Sequence, residues 1–417
     1  MEMRIRIDVT GFAKIQNATV YIDDLMMFVG DNNSGKTLLM ELIYGVVDFI
    51  SKYKVGCTNV KIAKTEYVSY FRFASEWFET VENEINQYLQ ENLNIFMVDV
   101  FNASIPMESL KVCFEDMTEV FYIATISDRI SLEKQYHSGQ REIVFQDEEI
   151  DDDVMDFLAH RVLNDIIGIR KENKQLFVPA ARAGLQMLYR YMFTETTGRN
   201  AGLPLPIAEY LNFIQTYTVR SKISSEEYSL IEFIEDKLLS GKVDYNNGQF
   251  FFRERDNVIP LNFASSMIHE LSVLSSILKS DQNIDLIYYD EIENSVHPLL
   301  QGEVARALVR FCNLGKKLII STHSDTMAGK LNNIILLSRM HNPAMKNRKI
   351  QKIGYDSKDM LDEDKNIGVY EFIKNEDGKV RVEKLEFMSY PKIGYDFERF
   401  NENINQLYEE SNLIMED

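Results

Sequence analysis

The segment that most constrains the fold of this chain is GDNNSGKT, at residues 30–37. It matches the pattern G-x-x-x-x-G-K-[ST]. The apolar stretch LMMFV comes directly before it, and an apolar face at helical spacing predicts a helix from about Lys36 to Ile50. Because glycine allows backbone angles that other residues resist, successive N–H groups can point into one concavity. The segment therefore predicts a phosphate-binding loop between a strand and a helix.

The residue types of this loop suit a nucleoside triphosphate bound together with Mg²⁺. The helix N-terminus adds a partial positive charge. Lys36 would reach the β- and γ-phosphates, and Thr37 would offer its hydroxyl to Mg²⁺. The predicted nucleotide contacts are Gly30, Asn32, Asn33, Ser34, Gly35, Lys36 and Thr37.

Two acidic residues follow a second apolar strand, in IDLIYYDEIENSVHP at residues 284–298. Asp290 would hold Mg²⁺, and Glu291 would orient or deprotonate the attacking water. Two adjacent acids also occur at ordinary strand ends. Together with the loop at residues 30–37, they favour a catalytic interpretation.

A third motif, KKLIISTHSD, ends a further buried strand at residues 316–325. His323 is predicted at the carboxyl end of that strand, where α/β sheets place their ligands. It could donate a hydrogen bond to the γ-phosphate and sense its presence. A lone histidine is usually structural, but this one is expected on the same sheet edge as the other two motifs.

The last third of the chain alternates helices and strands, which is typical of a parallel sheet covered by helices. The predicted elements there are helix 266–279, strand 284–289, helix 298–312, strand 317–321, a helix near 325–331 and strand 333–337. Further predictions are helices at 67–90, 154–169, 205–216, 225–239 and 396–410, strands at 110–115, 119–126 and 141–145, a hairpin over 248–263 turning at Asp256 and Asn257, and a hairpin over 369–385. In the predicted helix 67–90, the apolar stripe is interpreted as core.

Charge and hydropathy narrow the choice of partners and compartment. The chain has 417 residues and a net charge of −20, without an obvious basic footprint for nucleic acid. No apolar run approaches the ~18 residues that span a bilayer. The N-terminus alternates polar and apolar residues and lacks the apolar core of a signal peptide. These features predict a cytoplasmic protein with protein partners, no membrane contact, and DNA allowed but not required.

Together with FVPAARAGL and ASSMIHELSVLSSIL, these motifs resemble the ABC-type ATPases of the SMC, RecF and OLD group. More narrowly, they resemble the stand-alone AAA-type ATPases of bacterial phage-defence operons. The resemblance implies an α/β P-loop NTPase fold, with a mostly parallel core sheet, an antiparallel β subdomain and a helical insertion. It implies one ATPase head over 1–417, with a nucleotide-binding core in 1–50 and 248–340. Residues 51–247 would form an α+β insertion with a helical lobe, and residues 341–417 a C-terminal hairpin and helix.

The resemblance also implies ATP and Mg²⁺ as ligands and a homodimer, or a higher homo-oligomer, that sandwiches ATP between subunits. Ser265 and Ser266 would begin the signature helix and cap the γ-phosphate bound by the partner. Met267 stands where family members usually have glycine. This departure leaves open how closely the segment approaches phosphate and how fast ATP is hydrolysed.

The role implied by the resemblance is an ATP-driven switch that controls a separate effector, such as a nuclease, in antiphage defence. The sequence has no long heptad run and no C-x-x-C hook, which argues against a chromosome-tethering arm. About 80 residues follow the last predicted strand of the core sheet, fewer than the ~100 of a minimal domain, so we expect no built-in nuclease. The alternatives are a RecF-like DNA-repair ATPase and a small-molecule kinase. The acidic balance argues against the first, and the water-activating Asp290, Glu291 and His323 argue against the second.

Overall fold

The computed structural model describes residues 4–54, 60–64, 68–117, 120–126, 130–135, 152–169, 174–187, 202–397, 408–412 and 414–415. The strands are β1 Arg4–Phe12, β2 Ile15–Tyr21, β3 Leu25–Gly30, β4 Val60–Lys64, β5 Val68–Phe73, β6 Ser109–Glu115, β7 Val120–Ile126, β8 Ile130–Gln135, β9 Lys174–Val178, β10 Lys242–Asn246, β11 Gln249–Glu254, β12 Asn257–Pro260, β13 Ile284–Tyr289, β14 Lys317–Thr322, β15 Ile367–Lys374 and β16 Val380–Lys384. The helices are α1 Lys36–Lys52, α2 Ser75–Phe101, α3 Asp152–Ile167, α4 Leu205–Gln215, α5 Ser225–Phe233, α6 Ser266–Lys279, α7 Pro298–Asn313, α8 Asp325–Ser338 and α9 Pro343–Ile353. A π-helical segment, Ile234–Leu239, follows α5, and short 3-10 turns occur at Leu261–Phe263 and Ser357–Asp359.

A nine-stranded sheet organises the fold, in the order β6-β1-β2-β16-β15-β3-β14-β13-β9. The five strands from β15 to β9 run parallel to one another. Strands β6, β1 and β2 are antiparallel neighbours, and β16 is antiparallel to β15. Because β3, β14 and β13 are adjacent and parallel, the segments that follow them emerge at one edge of the sheet. The predicted α/β fold with a mostly parallel core sheet is confirmed.

Two smaller antiparallel sheets accompany the large one. Strands β10, β11 and β12 form the first, in sequence order, and β4, β5, β7 and β8 form the second. The predicted hairpin within 248–263 is therefore part of a three-stranded sheet. Its turn lies at Arg255 and Asp256, one residue earlier than predicted, because Glu254 pairs with Asn257.

Hydrophobic clusters cover both faces of the large sheet. In β3, Met26 and Phe28 belong to one cluster, whereas Leu25, Met27 and Val29 belong to the other. This alternation follows from the two-residue period of a strand, and it explains why β3 is apolar throughout. The first cluster also contains the predicted core stripe, which consists of Phe71, Trp77, Phe78, Val81, Ile85 and Leu89.

Two predicted elements are wrong. The helix predicted over 67–90 is divided: Val68–Phe73 forms strand β5, and α2 begins only at Ser75. Pairing of β5 with β4 and β7 stabilises the strand, and a short run rich in aromatics does not distinguish helix from strand by periodicity. The strand predicted over 333–337 is the second half of helix α8, Asp325–Ser338, where apolar residues are buried at helical spacing.

The C-terminal hairpin joins the large sheet, because β15 pairs with β3 and β16 pairs with β2. The predicted strand 141–145 and most of the predicted helix 396–410 lie outside the described residues. Within the part of the chain that the structure describes, no helix combines the length and the apolarity needed to cross a bilayer.

Candidate functional site

The loop at residues 30–37 has the backbone geometry of an anion cradle. Gly30 has a φ of 139°, and a Cβ there would lie 2.8 Å from the carbonyl oxygen of Phe372, so glycine is required. Gly35 has a φ of 99° and occupies the N-cap of α1, where no side chain caps the helix. The first N–H groups of α1 are therefore available to an anion.

Lys36 directs its ammonium group into this loop. Its Nζ donates hydrogen bonds of 2.8 Å to the carbonyl oxygens of Gly30 and Asp31, and the residue is only 6% exposed. Burial lowers the pKa of Lys36, and the nearby carboxylates of Asp290 and Glu291 oppose this shift. A buried cation held on neutral carbonyls is well placed to bind phosphate oxygens instead.

Thr37, in the first turn of α1, contacts Asp290, which directly follows strand β13. The hydroxyl of Thr37 donates a hydrogen bond of 2.9 Å to Oδ2 of Asp290, and the hydroxyl of Ser321 donates to Oδ1. Burial raises the pKa of Asp290, while these two hydrogen bonds oppose the shift. A hydroxyl next to a carboxylate fits the oxygen ligands that Mg²⁺ prefers, beside phosphate oxygens and water.

Glu291 follows Asp290 in a strained backbone conformation, with a φ of 46°. Its N–H donates a hydrogen bond of 2.8 Å to the hydroxyl of Ser321. Ser321 is fully buried and so holds both acidic residues at once. The sequence motif alone gives Ser321 no role, because its partners depend on the adjacency of β13 and β14.

Arg182 is a residue of the site that the sequence analysis did not assign. Its Nη1 donates a hydrogen bond of 2.8 Å to the carbonyl of Asp290, and its Nη2 donates one of 3.1 Å to the carbonyl of Glu291. The guanidinium group also lies over the ring of Tyr289, 4.6 Å from its centroid. The sequence signal for Arg182 is a charged residue in the segment FVPAARAGL, shortly after the end of the buried strand β9.

Glu293 is a second unassigned residue, and it contacts His323. Its Oε1 accepts a hydrogen bond of 2.7 Å from the backbone N–H of His323 and lies 3.1 Å from the ring Nδ1. Glu293 is 6% exposed, whereas the side chain of His323 is 37% exposed. The buried carboxylate thereby anchors a histidine ring that still reaches the surface. The sequence signal for Glu293 is its place as the third acidic residue of DEIE, at residues 290–293.

Glu41 adds a further buried acid, one helical turn after Thr37 in α1. Burial, together with the charge of Asp290, raises the pKa of Glu41 to about 7.

Ser265 and Ser266 lie at the start of α6. Ser265 is the N-cap, and its Oγ accepts a hydrogen bond of 3.4 Å from the N–H of Ile268. Both serines are exposed. Met267 is partly buried and packs against the second hydrophobic cluster, so its side chain is engaged in the protein's own core. The exposed serines leave the helix N-terminus open to a second molecule.

The structure thus brings residues 30–37, Asp290, Glu291 and His323 to one edge of the sheet, which defines an α/β protein of the P-loop NTPase class. Residues 207–328 match the family model of an AAA ATPase domain. This match includes Ser265 and the strand-end residues from Asp290 to His323, but it does not include the loop. A search of curated proteins finds no significant match.

Among solved structures, the chain is similar to the SMC head domain from Thermotoga maritima, with 8% identity, a TM-score of 0.37, and coverage of 93% of this chain and 100% of that one. It is also similar to an Smc head bound to the C-winged helix domain of ScpA, with 10% identity, a TM-score of 0.39, and coverage of 93% and 98%. A third is an Smc head domain with an extended coiled coil, bound to the C-terminal domain of ScpA derived from Pyrococcus furiosus, with 10% identity, a TM-score of 0.36, and coverage of 98% and 100%. The assignment to the P-loop NTPase class rests on the residues and geometry described above.

Proposed function

We propose that this protein is an ATP-binding and ATP-hydrolysing switch that dimerises around ATP and controls a separate effector. The observation that carries the ATPase assignment is the contact of Thr37 with Asp290, beside the buried ammonium group of Lys36. A phosphate-binding loop, a magnesium ligand pair and an acid next to that pair are the parts that phosphoryl transfer to water needs.

Each residue would have a defined task in hydrolysis. The N–H groups of residues 30–37 and Lys36 would hold the β- and γ-phosphates. Thr37 and Asp290 would hold Mg²⁺, which neutralises charge on the phosphates when bound. Glu291 would orient the attacking water and accept its proton. His323, anchored by Glu293, would contact the γ-phosphate or that water.

The exposed N-terminus of α6 supports the dimer. Ser265 and Ser266 offer hydroxyl groups and helix N–H groups to an anion, which suits the γ-phosphate bound by another subunit. The site would then be complete only when two chains enclose ATP. Met267 is engaged in the core of its own chain, so its bulk does not by itself prevent this approach.

The resemblance to stand-alone ATPases of phage-defence operons supports the biological role. The γ-phosphate would keep the assembly closed, and its loss would change the state of a separate effector, such as a nuclease, in the cytoplasm. DNA is not required by this scheme. The acidic chain, with a net charge of −20, is better suited to a protein partner than to duplex DNA.

The test is capture of the Glu291→Gln protein from its native cell, with and without ATP. We expect one protein to be retained only with ATP, and not by the matched Lys36→Ala protein. Retention of duplex DNA that weakens with salt would instead favour the RecF-like alternative. Cells that carry the gene in its native context should lose resistance to phage when Lys36 is replaced by alanine. Unchanged resistance would contradict the defence role.

A further inference from the structure

Arg182 joins the two acids of the hydrolytic site to the helix that bears the exposed serines. Two of its guanidinium nitrogens bond the carbonyl groups of Asp290 and Glu291. Its Nε forms an ion pair with Glu270, which lies in the second turn of α6. Glu270 is four residues beyond Ser266, so the Cα atoms of these two residues are about 6 Å apart along the helix axis. One side chain thus contacts both elements.

The ion pair lies inside the protein, where breaking it is costly. The side chain of Arg182 is fully buried, and that of Glu270 is 4% exposed. A buried charge left without its partner is strongly destabilising. The carboxylate of Glu270 and the guanidinium group of Arg182 must therefore move together.

Tyr289 adds a second contact between the same two elements. Its hydroxyl donates a hydrogen bond of 2.6 Å to the backbone carbonyl of Glu270. Its ring lies under the guanidinium group of Arg182. Helix α6 is therefore attached to the end of strand β13 both through its backbone and through a charged side chain.

We propose that Arg182 is a positioning residue that couples the N-terminus of α6 to the alignment of Glu291. The inference rests on the proposed function, because it takes Glu291 as the residue that activates water and Ser265 as a contact to the partner's nucleotide. When the partner's nucleotide fixes the start of α6, Glu270 fixes Arg182, and Arg182 fixes the carbonyl groups of Asp290 and Glu291. Each subunit then hydrolyses ATP at full rate only when its own α6 is engaged.

The chemistry of arginine explains why this residue type is present. Its planar fork donates in several directions at once, so it can donate hydrogen bonds to two carbonyl oxygens while its charge is paired with a carboxylate. Lysine would keep the charge without that geometry. The positive φ of Glu291 strains its backbone, so contacts from the surrounding structure must maintain this conformation.

The first measurement compares kcat with ATP affinity in the full chain. Glu270→Gln keeps the volume of the side chain but removes its charge, and Arg182→Lys keeps the charge but removes the fork. We expect kcat to fall ten- to a hundredfold in both variants, while the dissociation constant for ATP changes less than about twofold. Two variants keep the test usable if one fails to fold. An unchanged kcat in a folded variant overturns the inference.

A matched control separates positioning from general loss of stability. Arg310 and Asp359 form another buried ion pair, 2.7 Å between nitrogen and oxygen, and Arg310 lies in the last turn of α7. Asp359→Asn should lower the melting temperature, as Glu270→Gln does, without changing kcat. If kcat falls equally in both variants, the effect is structural and the inference is wrong.

The coupling itself is tested by combining Glu270→Gln with Ser265→Ala. If both act through α6, the combined loss in kcat is smaller than the product of the single losses. Losses that simply multiply would overturn the coupling. Glu291→Gln separates this inference from the proposed function: inactive Glu291→Gln with fully active Glu270→Gln overturns the inference alone, whereas full activity in both overturns the proposed function as well.

Discussion

One carboxylate oxygen of Glu293 accepts the backbone N–H of His323 at 2.7 Å and faces the Nδ1 of its ring at 3.1 Å. A carboxylate can only accept hydrogen bonds, so we expect a neutral His323 ring to carry its proton on Nδ1, the nitrogen that faces Glu293. A neutral His323 then presents Nε2 as an acceptor. It can receive a hydrogen bond from water, whereas it can donate one to a phosphate oxygen only as the imidazolium ion.

Glu293→Met should remove the preference for the Nδ1–H form, and hydrolysis should slow about tenfold because His323 loses its orientation. Glu293→Gln keeps an oxygen acceptor and should retain most of the activity. The tautomer is read from the ¹⁵N shifts of labelled histidine, with His323→Gln assigning the signal. An Nδ1–H ring that persists in Glu293→Met would contradict the role of Glu293.

Lys36→Ala should abolish nucleotide binding, because the cation inside the loop is lost while the backbone remains. We expect the affinity for a fluorescent ATP analogue to fall at least a hundredfold. Lys52→Ala is the matched control, since Lys52 is an exposed lysine at the opposite end of the same helix. Equal affinity of the two variants would show that the loop does not hold the nucleotide.

Ser321→Ala should impair both stability and hydrolysis. The change leaves Oδ1 of Asp290 and the N–H of Glu291 without their hydroxyl partner, which costs about 1–3 kcal/mol of unfolding free energy. We expect kcat to fall about tenfold as well. Ser338→Ala removes another fully buried hydroxyl, one that bonds the backbone of Ile334 and Leu361. Ser338→Ala should lower the unfolding free energy without changing kcat. If kcat falls as much in Ser338→Ala as in Ser321→Ala, the special role of Ser321 is refuted.

Glu41 should make the stability of the nucleotide-free protein depend on pH. Its pKa is raised by burial to about 7, from the usual 4.5. Between these values the folded state binds more protons than the unfolded state, so the unfolding free energy decreases as pH rises through this window. Above pH 7 the ionised, buried Glu41 lowers the unfolding free energy by about 3 kcal/mol. Glu41→Gln should therefore raise the melting temperature at pH 8 by roughly 3 °C and leave it nearly unchanged at pH 5.

Calorimetry at the two pH values checks this prediction. Glu232→Gln, a change at an exposed helical glutamate, is the control and should give no difference between the two pH values. A Glu41→Gln difference that is the same at pH 5 and pH 8 would mean that Glu41 is not protonated by burial.

The loop and the strand-end residues were predictable because their signals are local. Residues 30–37 combine a strand, a glycine pattern and a helix in one stretch, and Asp290 and His323 each follow an apolar strand directly. Parallel strands then place these ends at one edge of the sheet. The same local reasoning located α6 and β13 at their observed bounds.

The residues and elements that the sequence did not predict correctly depend on contacts between segments that are distant in sequence. Arg182 is 108 residues from Asp290 in sequence, and its role depends on β9 lying beside β13. The strand Val68–Phe73 was predicted as helix because the sequence of this segment does not reveal its pairing with β7. The helical half of α8 at residues 333–337 was predicted as strand because a short apolar run fits both periods.

We propose above that ATP closes an assembly of this chain, and the mass of the Glu291→Gln protein with Mg²⁺ and ATP shows whether that assembly forms. Light scattering should show one complex of at least two chains that forms only with ATP, and Lys36→Ala should show no such change. A Glu291→Gln protein that binds ATP with unchanged mass would contradict the claim.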